Sequence, residues 1–275
     1  MFNYIVWSLV AILYSPVIFQ LYKSRWEMID YTHAYFILPV SLFLAWRKRK
    51  EIVKSVSSIT NQGLIFPSIL ILGILLFILG WRKEYLFITS GSMILVLIGL
   101  IGYLYGPKTV RKLAFPIGYL ILMIPPPLGI LDAITLPMRY GISAVAAGIL
   151  KSFHYPVMRE GLLIYLGRQE IFMGAPCSGF RSLITMFSLG LAYIYILKET
   201  RKNKIIILLS VIPLALFGNL LRVLSLCLVT YYFGQEAGQG FFHDFSGIIV
   251  FVIMILGLLG IEAYLKAKRT LNEEL

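Results

Sequence analysis

Runs of about twenty mostly apolar residues recur from one end of this chain to the other, and that spacing limits the fold more than any motif does. A hydrocarbon layer holds no water to satisfy backbone N–H and C=O groups, so such runs can cross it only as helices or as a closed barrel. Here they lie near 2–21, 31–46, 64–80, 86–105, 110–124, 180–197, 205–233 and 248–265, the second, third and fifth being short. Composition agrees: 59% of residues are hydrophobic and 14% charged, against about 25% charged in soluble domains. The expectation is an all-α integral membrane protein of about eight transmembrane helices, one domain over 1–275. The N-terminus lacks a basic leader and a small-residue cleavage site, so 2–21 reads as a retained first span.

The formal charge of +12 does not point to nucleic acid, because the basic residues are not spread along one surface. They form short clusters beside the apolar runs: Arg47–Lys50 with Lys54; Lys108, Arg111 and Lys112; Lys198 with Arg201, Lys202 and Lys204; Lys266, Lys268 and Arg269. Under the positive-inside rule these clusters mark one side, the cytoplasmic one. They follow runs two, four, six and eight, so residues 125–179 are expected on the opposite, extracytoplasmic side. Within that insertion, 131–150 is apolar but interrupted by Asp132, Pro137 and Arg139, which favours an amphipathic or re-entrant helix at the interface. Residues 155–173 alternate like a small hairpin punctuated by Gly161 and Gly167. The charged link 47–61 is expected as loop and the tail from 266 as a frayed end.

That topology gathers His33, Cys177 and His243 at one membrane face. Cys177 stands in APCSGFRSLITM before the sixth run, where a helix N-terminus, with Arg181 four residues on, would favour a thiolate. The other reading of such a cysteine is a small buried apolar side chain, and both stand at this point. Cys227, in LSLCLVTY, reads as the apolar case. With only two cysteines and no Cys/His ligand spacing, neither a structural disulfide nor a metal site is expected, and no cofactor is implied. Arg222, in GNLLRVLSL, is a charge inside a span, costing about 2.5 kcal/mol or more to insert. Asn219 shares its helix face and could help to satisfy it. The nearest candidate carboxylate is Asp132. A transporter would use Arg222 as a substrate counter-ion. An enzyme would aim it at a developing oxyanion, with Cys177 as nucleophile and His243 as proton carrier. Ser178 does not have the spacing of a Gly-x-Ser-x intramembrane serine protease, and His154 reads as a loop residue.

The ordered blocks THAYFILPVS, MIPPP, APCSGFRSL, GNLLRV and HDFSG, spread over roughly residues 30–250, resemble the exosortase/archaeosortase family of multipass prokaryotic transpeptidases. The resemblance implies a catalytic Cys…Arg…His set at Cys177, Arg222 and His243, flanked by Arg181 and Asn219. His33 matches a family histidine usually written Ser-His-Gly; here Thr32 and Ala34 depart from that pattern, and the role of His33 stays open. What the family implies is cleavage of a C-terminal sorting signal on exported proteins: a short motif such as Pro-Glu-Pro, a transmembrane helix and a basic tail. Cleavage would run through a thioester, with transfer to a lipid or cell-envelope acceptor. The implied location is a prokaryotic cell membrane, with the site facing outward.

Overall fold

A computed structural model describes residues 2–27, 31–55, 64–239 and 241–274, the side chains of 241–245 and of a few other positions excepted. The chain divides into two compact units, 1–127 and 128–275.

In the first unit, α1 (Phe2–Leu21) continues through a wider π turn at Tyr22–Trp26. Then come α2 (Ala34–Arg47), α3 (Arg49–Ser55), α4 (Ile65–Arg82), α5 (Leu86–Tyr105) and α6 (Pro107–Tyr119). A 3₁₀ turn, Leu120–Met123, closes the unit. The expected loop at 47–61 is thus helical over α3, with 56–61 outside the described residues. α4 and α5 form a close antiparallel pair because glycines remove side chains where they cross. A Cβ at Gly99 would stand 2.6 Å from the Leu70 amide nitrogen, and one at Gly73 would stand 2.9 Å from Val96. Such small-residue contacts let apolar helices approach in a solvent that gives no hydrophobic push. α6 is amphipathic rather than uniformly apolar: Lys108, Arg111 and Lys112 lie exposed or half-buried while Thr109, Pro116, Ile117 and Tyr119 are buried.

In the second unit, α7 (Leu128–Ser152) leads to three short strands, β1 (Val157–Glu160), β2 (Leu163–Leu166) and β3 (Gln169–Phe172). A 3₁₀ turn at Ala175–Ser178 follows, then α8 (Phe180–Ile196), α9 (Arg201–Phe233), α10 (Gln235–Gln239) and α11 (Phe241–Glu274). The strands pair antiparallel in the order β1-β2-β3, Val157 opposite Leu166 and Ile164 opposite Ile171. Gly161 (φ +61°) and Gly167 (φ +63°) open the two-residue turns, where a side chain would be strained. Period-two alternation puts Ile164, Leu166, Ile171 and Met173 on one face. Against it pack Ala146 and Leu150 of α7 and Val223, Leu226 and Cys227 of α9, with Cys177 in the same cluster. A second cluster joins Met186 of α8, Ile207, Val211 and Ala215 of α9, and Val250, Met254 and Leu258 of α11. Glu262 of α11, buried, accepts from the Tyr193 hydroxyl and pairs with Lys266 at 2.5 Å.

Six helices among the described residues are long and apolar enough to cross a membrane: 3–26, 65–82, 86–105, 129–152, 201–233 and 246–270. Ala34–Arg47 and Phe180–Ile196 are apolar but shorter. The set differs from the sequence expectation at two places. Residues 110–124 hold most of amphipathic α6 and the 3₁₀ turn after it. Residues 131–150 lie within a continuous 25-residue helix, where Asp132 is exposed and Pro137 is absorbed nine residues in. The tail from 266 is helical through 274.

Candidate active site

Cys177 is not on α8. It belongs to the preceding 3₁₀ turn, and Gly179 between them is left-handed at φ +77°. The break undoes the expectation that Cys177 and Arg181 share one helix face: spacing by four aligns side chains only within an unbroken helix. Arg181 lies exposed in the first turn of α8, and its carbonyl accepts from Thr185. Ser178 is buried, and its hydroxyl accepts from the N–H of Phe180, the first residue of α8, at 3.2 Å.

The partner that holds the turn comes from α9. Asn219, 1% exposed, donates from Nδ2 to the Cys177 carbonyl at 3.0 Å. The sequence suggested that this amide satisfies Arg222; instead it fixes the backbone of the cysteine. Its Oδ1 is buried with no hydrogen-bond partner among the described residues. Gly179 is packed against the same side chain, and a Cβ there would stand 2.7 Å from Nδ2, 2.8 Å from Cγ and 3.0 Å from Cβ of Asn219. Glycine at 179 is therefore required twice, by its φ and by its neighbour.

Arg222 follows Asn219 by three residues on α9 and is half-buried. Burial pushes the Cys177 thiol above its ordinary pKa; the Arg222 guanidinium and a backbone hydrogen bond from Gly174 act the other way without cancelling it. The positive charge acting on the thiol is thus Arg222, not the Arg181 favoured by sequence spacing. Both cysteines are free thiols, and Cys227 is buried in the same apolar cluster as Cys177.

The structure accordingly brings Cys177, Asn219 and Arg222 together. His243 falls in α11 near its N-terminus, and its side chain lies outside the described residues. His33 belongs to the first unit, 4% exposed, with Nε2 3.2 Å from the Leu122 carbonyl and its ring 4.2 Å from that of Tyr31. Among the described residues no group of three or more His, Cys, Asp or Glu could hold a metal ion.

The chemistry this arrangement can do is that of a buried thiol beside a fixed cation, on a turn clamped by a buried amide. No curated protein and no solved structure matches the chain. A family model does: that described as Transmembrane exosortase (Exosortase_EpsH) matches residues 26–260. This is most of the chain, and it takes in the cysteine turn and the α9 residues that hold it. The chain belongs to the transmembrane exosortase family.

Proposed function

We propose that this protein is a cysteine transpeptidase that cuts a C-terminal sorting signal from exported proteins and passes them to a cell-envelope acceptor. Family membership supports a membrane transpeptidase or protease role in general. The observation that carries the finer reading is the convergence of the Cys177 turn, Asn219 and Arg222. In this reading His243 takes the Cys177 proton, and the thiolate attacks the peptide carbonyl. Arg222 meets the oxyanion, and the C–N bond breaks as His243 returns the proton to the leaving amine. An acceptor nucleophile, on a lipid or envelope component, then gives its proton to His243 and attacks the thioester carbonyl, and the C–S bond breaks to release the thiolate. Arg181 and His33 are left for substrate contacts, a motif glutamate being a natural partner for Arg181.

The depth of the site suits a substrate anchored in the same bilayer. At 1.5 Å per residue, Arg222 stands about 30 Å along α9 from Arg201, close to one hydrocarbon thickness. With the basic N-terminus of α9 in the cytoplasm, Arg222 and Cys177 fall at the outer boundary of a prokaryotic cell membrane.

The test is co-expression with a protein carrying a motif, a span and a basic tail, followed by immunoblotting for the shortened product. Shortening is expected in wild type and in Cys227→Ala, and is lost in Cys177→Ala and Arg222→Ala. Product formed without Cys177 overturns the mechanism. Transport of a solute that survives Cys177→Ser but not Arg222→Ala would identify the counter-ion reading instead.

A further inference from the structure

The first unit contains a cavity of about 990 Å³, at the upper end of the roughly 300–1,000 Å³ range of small-molecule sites. One wall is α1 and α5, the other α2 and α6 with α3 across one end. Its polar side chains are spoken for inside the protein. Tyr14 bonds Ser92 at 2.8 Å, Ser41 donates to the Pro116 carbonyl at 2.8 Å, Thr109 to the Tyr105 carbonyl at 2.9 Å, and Trp26 to the Met123 carbonyl at 2.9 Å. What faces the space is hydrocarbon and ring surface, which fits an apolar chain and offers little to a polar solute.

One end is different. The cavity wall there is Ala45, Ile52, Val53, Thr109 and Leu113, and basic residues interleave with it in sequence: Arg47–Lys50, Lys54, Lys108, Arg111 and Lys112. Glu51 is the one acidic side chain in these two segments. Lys112 Nζ donates to the Glu51 carbonyl at 2.9 Å, tying α6 to α3. The Arg49 guanidinium lies 4.0 Å above the Trp46 ring, a pairing suited to the membrane–water boundary. An apolar cavity between membrane-crossing α1 and α5 and the shorter α2 and α6, with a basic mouth at the boundary, is the arrangement that holds an anionic phospholipid, chains inside and phosphate outside.

We infer that this cavity binds an anionic phospholipid of the adjoining leaflet, its acyl chains between α1 and α2 and its phosphate on the basic residues of α3 and α6. The charge decides against a protein helix ending in a basic tail, which would meet like charge at this mouth. The site is separate from the proposed chemistry: it stands whether or not Cys177 is catalytic.

Native mass spectrometry of the full chain, released from mixed micelles of phosphatidylglycerol and phosphatidylcholine at equal mole fraction, tests this. Wild type is expected to retain phosphatidylglycerol in preference. Lys108→Gln, Arg111→Gln and Lys112→Gln are each expected to cut that preference by about fivefold, the size of one surface charge–lipid attraction. Ala11→Trp, which fills the cavity from α1, is expected to abolish retention of either lipid, with Ala11→Leu intermediate. The charge variants lie in exposed or half-buried positions and keep the proposal testable should Ala11→Trp fail to fold. Equal retention of the two lipids, or retention unchanged in the charge variants, overturns it. So does a photo-crosslinker at position 11 that captures the span of a co-expressed protein rather than phospholipid.

Discussion

Replacing Gly179 by alanine tests the construction of the site in a way that local geometry makes quantitative. The substitution acts twice. An L-residue held near φ +77° costs about 1–2 kcal/mol, and the new Cβ sits under 3.0 Å from Asn219 Nδ2 and Cγ, an overpacking worth about 1–3 kcal/mol. Asn219 cannot simply swing away, because its own Cβ is 3.0 Å from the same point and any rotation gives up the bond to the Cys177 carbonyl. Gly179→Ala should therefore destabilise by about 2–5 kcal/mol. Asn219→Ala alone loses a hydrogen bond, about 0.5–1.5 kcal/mol, but it also empties the space the alanine needs. The double variant should then be more stable than the sum of the singles predicts, by about 1–3 kcal/mol. The assay is unfolding in an SDS titration, followed by maleimide labelling of Cys177 in a Cys227→Ala background, since the native thiol is only 8% exposed. Effects that add within about 0.5 kcal/mol would show that Gly179 and Asn219 do not press on each other, and would refute the twofold requirement.

Three further outcomes are expected. The rate of Cys177 alkylation by iodoacetamide should rise with pH to a midpoint above that of an exposed thiol, because burial disfavours the thiolate. Arg222→Ala removes a lowering influence and should move the midpoint higher still; a fall would contradict the assignment of Arg222 as the charge beside the thiol. Gly99→Ala forces a Cβ against the Leu70 backbone and should cost about 1–3 kcal/mol. Gly91→Ala on the same helix meets nothing within 4 Å and should be neutral or stabilising by up to about 1 kcal/mol; equal thermal shifts for the two would show that α4 and α5 are not in glycine contact. Glu262→Ala leaves the Tyr193 hydroxyl and Lys266 without their shared partner and should cost about 1–3 kcal/mol. Glu262→Gln, which can still accept from Tyr193, should cost less in the same SDS titration.

What could be read from the sequence was what depends on neighbours along the chain. Apolar runs gave the long helices, and Gly161 and Gly167 gave the turns of a sheet whose third strand went unanticipated. The block around Cys177 marked a helix start, but the cysteine sits on a separate turn before it rather than in the helix's first turn. What escaped depends on groups distant in sequence. That Gly179 turns left, so that Arg181 leaves the cysteine, follows from the fit of Asn219, forty residues on. Asn219 was noticed as a polar residue in a span, but its bond to a backbone carbonyl of another element has no local signature. Glu262 went unremarked because its partner Tyr193 sits on another helix. The interruptions Asp132, Pro137 and Arg139 argued against a membrane span at 131–150 and for an amphipathic or re-entrant helix. The helix instead runs unbroken and long enough to cross, with Asp132 exposed and the C-terminal half of α7 packed on the sheet.

The length of α9 has a consequence for what the enzyme would select. Its 33 residues reach about 50 Å, well past the roughly 30 Å of hydrocarbon, and the cysteine turn is pinned to it at Asn219. If Cys177 is the nucleophile, a helix rooted in one basic surface and holding the cysteine turn at Asn219, beyond Pro213, would act as a ruler. For a substrate threaded through the same bilayer, the bond presented to Cys177 would then be chosen by how many residues separate it from the substrate's own span. Spacer length would then be read more strictly than side-chain identity, and inserting two or three residues into that spacer would move the cut along the chain by the same number.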